Sequence, residues 1–188
     1  MSVIVVGGSN KGVGKTSLVC GIIAALPELC WTAVKITSHD YGQSKPIWTQ
    51  PAIAAGEQEG KGTDTERFLR AGAKQALLVT VLDEQMPIAN LEEVLAPDDN
   101  VIIESNSILK QLQPQVCLAV VSAKEPSIKL SFVPLLSAAD ALVTTSRVDF
   151  GLPIPAIELP LFRLQAYEQL STEMLMWLRK RLAAAGRD

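Results

Sequence analysis

The run Val3-Ile4-Val5-Val6 leads directly into Gly7-Gly8-Ser9-Asn10-Lys11-Gly12-Val13-Gly14-Lys15-Thr16-Ser17. Consecutive β-branched residues predict a buried strand, and the glycines predict a turn able to adopt positive φ. The segment after Ser17, Leu18 to Leu26, reads as an apolar helix that Pro27 stops. A strand, a Gly-rich turn and a helix start in this order aim backbone N–H groups and the positive helix end at one place. Such a place suits an anion. Lys15 stands where a lysine reaches the terminal phosphates of a nucleotide, and the Thr16 hydroxyl stands where Mg²⁺ is ligated. Counting back from Gly14-Lys15-Thr16 puts Ser9 where the strict pattern has its first glycine, but Gly7, Gly8 and Gly12 are close by. Asn10, Lys11, Gly12, Val13, Gly14, Lys15, Thr16 and Ser17 are the candidate phosphate-binding residues. In the loop variant with a second signature lysine, that lysine stands five residues before the first. Here that position is Asn10, with Lys11 one residue late.

At 188 residues, the chain suits a single domain spanning 1–188 that buries roughly 70% of its unfolded surface. A net charge of −3 gives no electrostatic footprint for nucleic acid or an anionic membrane. No apolar run approaches the roughly 20 residues that span a bilayer. The start of the chain lacks a basic leader and enters the glycine loop almost at once, so a cytoplasmic protein is expected. Cys20, Cys30 and Cys117 show no Cys-x-x-Cys spacing and are expected as reduced thiols rather than zinc ligands.

Strands are predicted at Val3–Gly7, Trp31–Thr37, Gln75–Leu82, Asn100–Glu104, Gln115–Ser122 and Ala141–Thr145, with a short one at Ala156–Leu159. Helices are predicted at Lys15–Leu26, Asp64–Ala73, Pro87–Ala96 and Leu164–Ala184, with a helical turn at Pro134–Ala139. Unbroken apolar strands alternating with helices predict an α/β fold: a mostly parallel, doubly wound sheet with helices on both faces. Ligands of such sheets sit beyond the carboxyl ends of the strands. In the last helix Leu164, Tyr167, Leu170, Met174, Trp177, Leu178 and Leu182 share one face, expected to pack on the sheet, with a partner surface as the other reading. Residues 38–63 carry no sustained period. A loop longer than roughly 15 residues in a compact domain is usually functional or disordered; this one is read as a lid, switch or substrate loop, with a floppy insertion as the other reading.

Mg²⁺ keeps several waters and takes one or two carboxylates besides phosphate oxygens. Glu104 ends the strand Val101-Ile102-Ile103 and is the first candidate; Asp40, after the second strand, is the next, and Asp83 the third. Lys15, Asp40 and Glu104 are the candidate catalytic groups. His39, the only histidine, is either a structural residue or a base beside the phosphates. Ser146-Arg147-Val148-Asp149 is similar to the element with which GTPases read guanine. The Asp149 carboxylate would accept from guanine N1–H and N2–H₂, Arg147 would stack on the base, and Ser146 would replace an asparagine. Polar pairs of this kind discriminate by factors on the order of 10⁴. A plain turn capped by Asp149 is the other reading.

Gly12-Val13-Gly14-Lys15-Thr16, Val34-Lys35-Ile36-Thr37-Ser38-His39-Asp40, Thr63 to Ala73 and Ile102-Ile103-Glu104 together resemble the Mob B family. This is the accessory protein family of molybdopterin-guanine dinucleotide biosynthesis, within the SIMIBI class of P-loop GTPases. Ser105-Asn106 departs from the Gly-Phe that usually follows the glutamate. The resemblance implies GTP binding with slow hydrolysis, a homodimer, assistance to a partner enzyme, and a metal- or water-side role for Glu104. The expected function is that of a Mg²⁺-dependent nucleotide-binding protein, with GTP favoured over ATP. One alternative is an ATP-dependent small-molecule kinase or ligase resembling dethiobiotin synthetase; another is a non-hydrolysing nucleotide switch.

Overall fold

A computed structural model describes residues 2–38, 47–49, 63–81, 100–122, 129–145, 159–164 and 168–184. The strands are β1 (Val3–Gly8), β2 (Thr32–Ser38), β3 (Ile47–Thr49), β4 (Gln75–Val81), β5 (Val101–Glu104), β6 (Val116–Val121), β7 (Ala141–Thr144) and β8 (Leu161–Arg163). They form one eight-stranded sheet in the order β3-β4-β2-β5-β1-β6-β7-β8. Neighbours pair in parallel except β3 and β4, which are antiparallel. Among the described residues the α-helices are α1 (Lys15–Ala25), α2 (Asp64–Arg70), α3 (Val133–Ser137) and α4 (Thr172–Ala184).

The apolar strands are apolar because both faces are covered. On β1, Ile4 and Val6 join the cluster of Leu18, Ile22, Phe68 and Met174. Val3 and Val5 join the opposite cluster with Phe132 and Leu135. Alternate side chains of a strand point to opposite faces, so a single run supplies two cores. α1, α2 and α4 therefore cover one face and α3 the other. Among the described residues, no helix is long and apolar enough to cross a membrane.

Two expectations change, and one falls mostly outside the described residues. The C-terminal helix starts at Thr172, not Leu164, because Leu161–Arg163 pairs in parallel with β7 as β8. The stripe persists where the helix exists: Met174 and Leu178 are buried and Trp177 and Leu182 pack beside them. Tyr167 lies outside the described residues. The last described strand is β8 at Leu161–Arg163, two residues beyond the expected Ala156–Leu159, of which only Leu159 is described. Finally, the span 38–63 is not all loop. Ser38 completes β2, Ile47–Thr49 adds an antiparallel edge to β4, and Thr63 caps α2. The helix expected at Pro87–Ala96 lies outside the described residues.

Candidate functional site

Parity and register build the site. Ala33 and Ile102 face the α1 side of the sheet, so Lys35 and Glu104, two residues on in each strand, face it too. The β2–β5 register pairs Lys35 with Glu104 directly. Glu104 ends β5 and Lys35 lies level with it at the middle of β2, and the first turns of α1 and α2 reach them through Thr16 and Asp64.

The turn after β1 is tight. A Cβ added to Gly8 would lie 2.7 Å from Val13 Cγ2 and 2.8 Å from Lys15 Cγ, so the lysine stem folds over Gly8 and only glycine fits there. Gly14, the N-cap of α1, has φ 102°, which L-residues rarely adopt. It offers no side-chain cap, and the first helical bond runs from Leu18 N to Gly14 O at 3.0 Å. The N–H groups of Lys15, Thr16 and Ser17 therefore have no carbonyl partner within the helix. Lys15 Nζ reaches back across the loop and donates to Asn10 O at 2.9 Å. Burial pulls the Lys15 pKa down, and the charge of Glu104 offsets this only in part.

Glu104 is buried, at 4% exposure. Its Oε2 accepts from Thr16 Oγ1 at 2.9 Å and its Oε1 accepts from Lys35 Nζ at 2.8 Å. Lys35 also donates to Asp64 Oδ2 at the first turn of α2. Burial opposes the Lys35 charge, but Glu104 and the hydrogen bonds to both carboxylates outweigh it and raise its pKa. Asp64 is held below its usual value: burial pushes it up, and the Lys35 hydrogen bond and charge, with help from Thr16, win. Thr63 caps α2 reciprocally with Glu66, which fixes Asp64 at the helix start. Arg67, one turn on, donates to Ser17 Oγ at 3.0 Å and to Glu168 Oε1 at 2.9 Å, tying α2 to the start of α1.

The sheet and this turn set the comparison. No family model matches the chain, and no curated protein does. Two solved structures are similar. One is the MobB protein homolog from Bacillus stearothermophilus, at TM-score 0.50 and 19% identity, over 98% of this chain and 99% of that one. The other is LpxK from Aquifex aeolicus, solved in complex with ATP, at TM-score 0.52 and 20% identity, over 99% of this chain and 68% of that one. The fold is the P-loop α/β fold.

The structure brings Lys15, Thr16 and Glu104 together. In the loop Asn10, Val13 and Ser17 are buried, while Lys11 and Gly12 are exposed. His39, Asp40, Asp83, Ser146, Arg147 and Asp149 lie outside the described residues. Thr145, just before Ser146, packs against Gly14: a Cβ on that glycine would meet Thr145 Cγ2 at 2.7 Å. Among the described residues no group of three or more His, Cys, Asp or Glu could hold a metal. Sequence reasoning assigned no role to Lys35 or Asp64. A lysine inside a strand covered on both faces was the available signal, since buried lysines need a partner.

Proposed function

We propose that the protein is a Mg²⁺-dependent P-loop nucleotide-binding protein and a slow GTPase, acting as an adaptor in molybdopterin-guanine dinucleotide biosynthesis. The observation that carries the nucleotide reading is the uncapped start of α1 with the Lys15 ammonium folded over it. Free amides, the helix dipole and a half-desolvated cation converge where polyphosphate would bind. Negative charge placed there would relieve the penalty that burial imposes on Lys15.

The donor set also fits Mg²⁺. Glu104 and Asp64 already converge on one cation, Lys35, and the Thr16 hydroxyl is bonded to Glu104. Thr16 and Glu104, with Asp40 or Asp64, are the residues that would hold the ion. When bound it would neutralise phosphate charge. The chain's own part is positioning and electrostatic stabilisation: the loop amides orient the phosphates, Lys15 binds their oxygens, and Glu104 orients the Thr16 hydroxyl. Asp149 reads guanine in this proposal. The MobB homolog structure supports the pathway assignment through shared fold.

The ATP complex of LpxK favours a second reading, an ATP-dependent kinase or ligase in which residues 38–63 would hold the acceptor. Equilibrium titration of GTP and ATP, with and without Mg²⁺, tests both. Lys15→Ala weakens triphosphate binding by about 10- to 100-fold, the worth of one charge-assisted hydrogen bond. Asp149→Ala removes the preference for GTP. Unchanged binding in Lys15→Ala refutes the phosphate site; ADP release stimulated by a small acceptor supports the kinase reading over the GTPase.

A further inference from the structure

The cation that joins the two carboxylates in this structure is a side chain. Lys35 Nζ donates to Glu104 Oε1 at 2.8 Å and to Asp64 Oδ2, while the remaining Glu104 oxygen holds the Thr16 hydroxyl at 2.9 Å. One oxygen of each carboxylate, of the kind suited to a hard divalent ion, is thus already engaged by an ammonium. Lys35 sits on β2, which pairs with β4 on one side and β5 on the other. Its backbone cannot withdraw without opening the sheet, so only the flexible four-carbon stem can yield. The other nearby lysine, Lys15, donates to Asn10 O instead.

We propose that Lys35 is a resident counter-ion that bars a divalent cation from the free site, so that Mg²⁺ enters only with nucleotide. The proposal rests on the nucleotide-binding reading. An ammonium and Mg²⁺ compete for the same oxygens, and two cations held side by side in a half-buried site repel strongly. Phosphate brings the negative charge that accommodates both: Lys35 releases a carboxylate and turns to phosphate oxygen. Lys35 is therefore a positioning residue that orders ligand binding.

The test is calorimetric titration of Mg²⁺, and of Mn²⁺ followed by electron paramagnetic resonance, into the full chain without nucleotide. Wild type and Lys35→Arg show no saturable uptake in the millimolar range, whereas Lys35→Met binds at least about tenfold more tightly. Asp64→Asn in the Lys35→Met background loses that gain. If Lys35→Met is unfolded without metal, millimolar Mg²⁺ restores its circular dichroism. Equal divalent binding in wild type and a folded Lys35→Met overturns the proposal, as does an unfolded Lys35→Met that Mg²⁺ leaves unfolded. Nucleotide titration of wild type is a separate arm. Failure there removes the nucleotide reading, while the metal-alone comparison still reads the competition between Lys35 and the divalent ion.

Discussion

The side-chain amide of Asn106 is bonded twice to the backbone of Gly8. Its Oδ1 accepts from Gly8 N at 2.8 Å and its Nδ2 donates to Gly8 O at 3.0 Å. The backbone ladder between β1 and β5 ends with Ser105 N donating to Val6 O at 3.0 Å. Beyond that point the chain turns away, and the amide supplies the next pair of bonds with its side chain. The last residue of β1 is thereby clamped to the segment that follows Glu104, so the glycine turn and the carboxylate keep a fixed relation. Asn106→Ala leaves a buried N–H and C=O without these partners. It should cost about 1–3 kcal/mol, read as a lower urea midpoint at unchanged slope. Asn106→Asp keeps the acceptor but places a carboxylate against Gly8 O, and recovers little of the loss.

Gly14 is constrained twice, by φ 102° and by Thr145 Cγ2 at 2.7 Å from any added Cβ. Gly14→Ala should destabilise by about 1–3 kcal/mol, from the strained backbone and the clash together. Thr145→Ser removes the offending methyl but leaves the dihedral. The double variant should then recover part of the loss and no more. Full recovery, in chemical denaturation of both proteins, would show that the clash alone excludes a side chain.

Why the sheet and loop were legible while part of the site was not follows from particular residues. Val3–Val6 and Val116–Val121 are continuous apolar runs, and such runs signal strands covered on both faces. Gly14 and Lys15 announce a helix start by composition. Lys35 and Glu104 are 69 residues apart and meet only because β2 lies beside β5; Asp64 joins Lys35 because α2 begins above the sheet there. Local pattern does not encode strand order. Leu164 and Leu170 fitted a helical period, yet pairing with β7 claims Leu161–Arg163 as a strand. β3 is three residues long, too short for any period to reveal.

Acid should unfold the protein partly through Asp64. Its carboxyl titrates below the ordinary 3.8 in the folded chain, so the unfolded state takes up a proton first as pH falls. The stability it confers is present above 3.8 and is lost as pH drops through the lowered value. Lys35 behaves oppositely. Its raised pKa gives stability that is complete below 10.5 and lost as pH climbs through the folded value. Between those limits the pair contributes a plateau. Asp64→Asn should lower the plateau modestly, because the Asp64 side chain is 36% exposed and solvent screens the interaction. The same substitution should flatten the acid limb below pH 3.8. Melting temperatures measured across pH for both proteins check the sign and the window; an unchanged acid limb in Asp64→Asn would assign it to other carboxylates.

The three cysteines should separate by reactivity. Burial pushes the thiols of Cys20 and Cys117 up to about 12, so neither supplies thiolate at neutral pH, and neither is open to reagent. Cys30 is exposed. It follows the 3₁₀ turn Pro27–Leu29 with φ 48°, the only non-glycine positive φ among the described residues. A disulfide reagent should therefore titrate one thiol per native chain, at Cys30, and all three after denaturation. Left-handed backbone costs an L-residue about 1–2 kcal/mol, which glycine escapes while losing more freedom on folding. Cys30→Gly should then abolish native labelling and raise stability by about 0.5–1 kcal/mol. Residual labelling in that variant would mean that the core around Cys20 or Cys117 opens on the timescale of the reaction. A loss of stability would mean that the Cys30 side chain contributes packing that outweighs its strained backbone.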